Sequence, residues 1–173
     1  MIADLPAPEP VGAGELTSPE ARLRALGLTL PPVAAPVASY VPALRVGDLV
    51  WTSGQLPFVD GQLPLTGLVG AGPDAMVPPE AATDLARRCA LNALAAVAET
   101  AGGLGAVLRV VKVTGYVASA PGFTGQPGVL DGASRLLQEV FGEAGRHVRS
   151  AVGVAALPLA APVEVELVVQ VKA

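Results

Sequence analysis

Val163-Glu164-Val165-Glu166-Leu167-Val168-Val169-Gln170-Val171 reads as a strand with one buried face. Residues 163, 165, 167, 169 and 171 are all apolar, while Glu164, Glu166 and Gln170 share the opposite side. Upstream, the strand Val148–Ala156 alternates likewise, with Arg149, Ala151, Gly153 and Ala155 on one face. The segment between, Leu157-Pro158-Leu159-Ala160-Ala161-Pro162, reads as the turn of an antiparallel hairpin. That register brings Arg149 opposite Glu164. A guanidinium among Ala and Gly leaves room for a small carboxylate, which its planar fork of donors would grip. A cross-strand ion pair fits the same pattern.

Outward from these strands, the elements follow in order. A helix spans about Pro127 to Glu143, with Leu136, Leu137, Val140 and Phe141 apolar. Before it, β-branched Val107–Ala118 reads as a long strand. The longest helix opens at Pro79-Glu80, runs to about Thr100 and stops at Gly102-Gly103. Its broad apolar face suits a helix lying on a sheet. Tyr40–Val46, Gly47-Asp48 and Leu49–Ser53 form a tight hairpin, and Gln62–Leu68 reads as a third short strand. Ser18-Pro19-Glu20 starts a short helix that ends at Gly27, with Ser18 as its N-cap. Residues 1–17 read as a loose arm, and Pro31, Pro32 and Pro36 mark an extended connector. The expected organisation is an N-terminal arm and short helix (1–37), then an α+β domain (38–173). Its mixed sheet carries both main helices on one face. The helix-free face would need cover, which a homo-oligomer supplies.

At 173 residues the chain suits one domain. Hydrophobic residues make up 51% and aromatics only 3%, so Ala, Val and Leu must fill the core. A formal net charge of −4 and the absence of any basic run argue against a nucleic-acid partner. Cys89 is the single cysteine and sits among apolar helical neighbours, as a buried structural thiol would. His147, the single histidine, cannot complete a zinc site alone, so no metal is expected. The N-terminal stretch lacks the pattern of a secretory signal, and no uncharged stretch is long enough to span a bilayer. A cytoplasmic protein is the expectation.

A second candidate signal is Ser53-Gly54-Gln55-Leu56-Pro57, after the first hairpin. Gly54 permits close backbone approach and the Ser53 hydroxyl could meet a ligand, although turn chemistry alone accounts for such a sequence. Tyr40, at the start of that hairpin, reads either as half-buried packing or as part of a site.

Two separated stretches carry a family resemblance. Tyr40-Val41-Pro42-Ala43-Leu44-Arg45-Val46-Gly47-Asp48-Leu49-Val50-Trp51-Thr52-Ser53-Gly54-Gln55-Leu56-Pro57 resembles the first hairpin of the Rid/YjgF (reactive intermediate deaminase) family. Arg149-Ser150-Ala151-Val152-Gly153-Val154-Ala155-Ala156-Leu157-Pro158 with Val163-Glu164-Val165-Glu166 resembles its end. The N-terminal arm and first helix, with Arg87-Arg88-Cys89-Ala90-Leu91-Asn92, are similar to a divergent branch labelled YjgF-like or endoribonuclease L-PSP. The resemblance implies a chorismate-mutase-like fold assembled as a homotrimer, with sites in the clefts between subunits. It implies hydrolysis of small reactive imines and enamines to 2-keto acids and ammonia, without a cofactor. By position, Arg149 would bind the substrate carboxylate and Glu164 would orient or deprotonate water. Ala151, Gly54, Ser53 and Tyr40 would line the pocket. Where family deaminases have Cys two residues after the arginine, this chain has Ala151. Where they have Asn on the second helix, the match is Ser134, with Asp131 its rival. Loop 119–128 is longer than usual. Three other readings stand beside the deaminase: a non-catalytic binder of small carboxylates, an endoribonuclease, and a trimer in which the Arg–Glu pair only braces a hairpin. The shortage of His and Lys weighs against the endoribonuclease.

Overall fold

A computed structural model describes residues 18–33 and 39–173, so the expectations for residues 1–17 and for Pro36 lie outside the described residues. Its elements are α1 (Pro19–Ala25), β1 (Ala43–Val46), β2 (Leu49–Thr52), α2 (Pro79–Ala101), β3 (Val107–Ala118), α3 (Gln126–Phe141), β4 (Val148–Val154) and β5 (Val163–Val171). Capping follows local chemistry. Ser18 Oγ accepts from the Ala21 amide at 3.1 Å, and Gly102 ends α2 in the left-handed conformation (φ 79°) that glycine adopts without strain.

The five strands form one mixed sheet in the order β1-β2-β5-β3-β4. β1–β2, β2–β5 and β3–β5 are antiparallel, whereas β3–β4 is parallel, with α3 as the crossover helix. The expected final hairpin is therefore absent. The chain leaves β4, turns through a short 3₁₀ segment at Pro158–Ala160, and steps over the end of β3. There the Ala118 amide donates to Pro162 O and the Ser119 amide to Val154 O, so β3 lies between the two strands expected to pair. The third strand expected over Gln62–Leu68 is likewise replaced, by isolated bridges such as Val59 with Gln62 and Val69 with Val77.

Both long helices pack on one face of the sheet. Val50, Val110, Val113, Val117, Val163, Val165, Leu167 and Val169 form one buried cluster with Leu94 and Val97 of α2 and Leu130, Leu136 and Leu137 of α3. Leu23 of α1 joins the same cluster. Alanines 82, 86, 90 and 93 of α2 are fully buried, so α2 approaches its neighbours closely. The tightest contact between helices is at Gly132 of α3, where an added Cβ would overlap the Thr83 carbonyl oxygen of α2.

The opposite face has no helix. It exposes Leu44, Val46, Trp51, Val148 and Val152.

Gly132→Ala forces two backbones apart and is expected to destabilise the protein by about 1–3 kcal/mol. Denaturant unfolding checks this: the midpoint should fall while the slope stays constant.

Candidate functional site

Arg149 and Glu164 do not meet. Arg149 pairs in register with Val113 of β3, a core residue, so its side chain leaves the sheet on the helix side. Glu164 pairs with Tyr116 of β3 between the buried Val163 and Val165, and so lies on the helix-free side. The two are separated by β3, staggered along it, and on opposite faces. Neither the hairpin ion pair nor a shared site within one chain exists.

Arg149 instead reaches α3. Its Nη1 donates to Asp131 Oδ1 at 2.9 Å and to Ser134 Oγ at 3.0 Å, and its Nη2 donates to the Pro127 carbonyl at 3.1 Å. These partners recur at helical spacing on one stripe of α3. The Arg149 side chain is only 23% exposed, so the geometry is restrained. Its Nε–H has no protein partner among the described residues and still offers a donor edge. Ala151 lies beside Gly115 on the same helix-facing side, where an added Cβ on Gly115 would strike Leu130.

Ser134 was expected among the substrate-binding residues, with Asp131 as its rival. His147, which completes the group, was not. His147 Nδ1 is 2.7 Å from Gly145 O, which can only accept, so Nδ1 carries the proton and Nε2 accepts from the Ser134 hydroxyl at 3.0 Å. Ser134 Oγ in turn accepts from Arg149, so a chain of hydrogen bonds runs from imidazole to guanidinium. Burial chiefly lowers the His147 pKa, and the positive Arg149 adds to this against the opposing Gly145 bond. The signal available in sequence was position: His147 precedes Arg149 by two residues and shares its strand face.

Of the other expected residues, the structure sets Gly54 against Glu164. Gly54 faces it so closely that an added Cβ would overlap the carboxyl group. The Gln55–Val165 bridge holds this loop against β5. Ser53 spends its hydroxyl hydrogen on the Val41 carbonyl at 2.6 Å, tying the hairpin entrance, and Tyr40 is exposed nearby in sequence. Burial first, and then the charge on Glu166, raise the Glu164 pKa above the ordinary carboxylate value.

Cys89 is fully buried, with Sγ 3.5 Å from Val163 O, and burial pushes its pKa well up; it is a core thiol. Among the described residues no group of three or more His, Cys, Asp or Glu could hold a metal, and no helix is long and apolar enough to cross a membrane.

A mixed sheet backed by two helices, with an arginine at one edge strand and a desolvated glutamate over Gly54, defines a YjgF-like α+β protein. The chain belongs to the family described as "YjgF/chorismate mutase-like, putative endoribonuclease", whose model matches residues 20–171. It is 44% identical over 151 residues to Protein TCP17 of Trypanosoma cruzi, covering 87% of this chain and 92% of that one. Among solved structures it resembles Atu1372 of Agrobacterium tumefaciens, described as of unknown function. The match has 42% identity and TM-score 0.80, over 92% of this chain and 96% of that one. It also resembles a Shewanella oneidensis protein described as a putative endoribonuclease, with 35% identity and TM-score 0.85, over 90% and 100% of the two chains.

Because folding keeps His147 neutral, its contribution to stability is present above the ordinary histidine pKa of about 6.5 and is lost as pH falls through and below it. Glu164, raised in the fold, acts with the opposite sign at lower pH. The comparison with His147→Asn isolates the histidine: as pH falls the variant should lose the stability decline that sets in near that pH while keeping the opposite, lower-pH gain from Glu164, as read by urea unfolding across pH.

Proposed function

We propose that this protein is a hydrolytic deaminase of small reactive 2-imino and enamine acids, yielding 2-keto acids and ammonia. The observation that carries the reading is Arg149. Its guanidinium is oriented by Asp131, Ser134 and Pro127, and the small Ala151, two residues on along the same strand face, suits a site for a substrate carboxylate. An imine carbon is already electrophilic, so orientation and one general base suffice. Water adds its oxygen to the imine carbon and gives a proton to Glu164. Glu164 passes that proton to the nitrogen, and the carbinolamine hydroxyl proton then follows through Glu164 as the C–N bond breaks, releasing ammonia and leaving the C=O group. A glutamate with a raised pKa is the better base near neutral pH.

Because Arg149 and Glu164 lie on opposite faces of one sheet, this chemistry needs two copies, Arg149 from one and Glu164 from its neighbour. A homotrimer with sites in its clefts meets that requirement. The exposed Leu44, Val46, Trp51 and Val152 on the Glu164 face support such an assembly, since burying them repays association. Ser53, Gly54 and Tyr40 would then line the Glu164 side of the cleft, and Ala151 and Ser134 the Arg149 side.

A second reading is favoured by one observation. Arg149 takes its partners from α3 and does not meet Glu164, so one chain can hold a carboxylate there with no glutamate base beside it for turnover. The net charge of −4 leaves the endoribonuclease reading the weakest.

Keto-acid release from freshly generated 2-aminoacrylate decides between them. Arg149→Ala should lower kcat/KM by about a hundredfold, and Arg149→Lys should not restore it, because a point charge does not replace the fork. Glu164→Gln should cut kcat by about 10²–10⁴ and abolish an acidic limb lying above the ordinary glutamate range. Mixing and reassembling the two inactive variants should recover about one quarter of wild-type activity, since some sites then pair an intact Arg149 with an intact Glu164. No recovery would overturn the shared site, and no turnover by wild-type protein would overturn the deaminase.

A further inference from the structure

Arg88 and Asn92 lie one turn apart on α2, and both reach the loop that follows β2. Arg88 Nε donates to Phe58 O at 2.8 Å, while Asn92 Nδ2 donates to Leu56 O at 2.8 Å and Phe58 O at 3.2 Å. Bracing this loop accounts for Nε and Nδ2 but for nothing else on the two side chains. With two carbonyls on Nδ2, the amide orientation is fixed, since the flipped form would set oxygen against oxygen. Asn92 Oδ1 is therefore a true acceptor, and it is buried with no hydrogen-bond partner among the described residues. Native proteins rarely leave such a group unmet. The Nη groups of Arg88 also have no protein partner among the described residues.

Both side chains line one cavity of about 290 Å³, walled by Pro31, Pro32 and Phe58, with Asp60 also on its lining. It shares no lining residue with the groups around Arg149 or Glu164. Ligand cavities span about 300–1,000 Å³, so this one takes a small metabolite rather than a nucleotide. Its polar groups are a cation, a neutral acceptor and a carboxylate, set against apolar rings. A lone anion would satisfy only Arg88, and a lone amine only Asn92 and Asp60. An ordered water would satisfy Asn92 Oδ1 and make no use of the cation and carboxylate set on the same cavity.

We propose that this cavity binds a small aliphatic α-amino acid as its zwitterion. The carboxylate pairs with Arg88, the ammonium donates to Asn92 Oδ1 and Asp60, and the side chain lies on Pro31, Pro32 and Phe58. The site is independent of any chemistry at Arg149.

Titrating ¹⁵N-labelled full-length protein with L-valine, L-leucine and L-proline, while following the Asn92 side-chain amide and Arg88 Nε–H signals, tests this. At least one amino acid should give saturable shifts in the millimolar range or below. For valine, the truncated probes isovalerate and isobutylamine should each bind about tenfold more weakly, as expected for the loss of one charge-assisted hydrogen bond. Arg88→Gln should weaken binding similarly. Asp60→Asn, at an exposed turn whose positive φ of 49° asparagine tolerates, should do so without disturbing the loop that Arg88 braces. Arg149→Ala should leave the titration unchanged, which separates this result from the fate of the deaminase reading. Absence of saturation with all three amino acids, equal binding of valine and its truncated forms, or full affinity in Asp60→Asn would overturn the proposal.

Discussion

β5 is hydrogen-bonded along both edges, to β2 and to β3, and buries every odd-numbered side chain from Val163 to Val171. A strand held in this way has no edge left for β4, which joins the sheet on the far side of β3. That constraint organises the rest of the molecule. It places Glu164 mid-sheet on the helix-free face, over Gly54, and leaves Arg149 at the outer strand, turned toward α3. Each group is rigidly set by its own neighbours, and neither can travel to the other without unpairing the ladder.

The two groups also differ electrostatically. Arg149 lies in a satisfied polar network in which Asp131 offsets its charge and Ser134 passes a hydrogen bond on to His147. Such an arrangement preorganises the guanidinium and lowers the reorganisation needed to meet an anion, while Asp131 weakens its net attraction. Glu164 has the opposite character: half-buried, close to Glu166, and destabilised as an anion. A carboxylate in that state gains from a proton, a donor or a cation brought to it.

Small side chains set the tolerances. An alanine-rich α2 lies close against α3 and the sheet, and Gly132 allows the helix backbones to touch. The same helix sends Arg88 and Asn92 to the loop after β2, so one element serves both the core and a polar-rimmed cavity.

Most of the elements were legible in the sequence. Val107–Ala118 and Val163–Val171 announce themselves by β-branched content and period-two alternation, and α2 by its proline start and glycine stop. Local sterics and hydrogen bonding decide these features within a few residues. The candidate residues were legible as a list but not as contacts: Gly54 lies against Glu164, while Arg149 bonds both Ser134 and its rival Asp131. Strand partnership was not. Alternation shows which side chains share a face of one strand but says nothing of which strand lies beside it, so two consecutive strands read as a hairpin although β3 comes between them. His147 was passed over for the same reason, since its partners come from α3 and the turn after it, and Asn92 Oδ1 is an orphan only in three dimensions. The sequence by itself determined the elements and the chemistry they carry; the tertiary structure alone decided which groups meet, because pairing is fixed by the competition of all strands for the same edges.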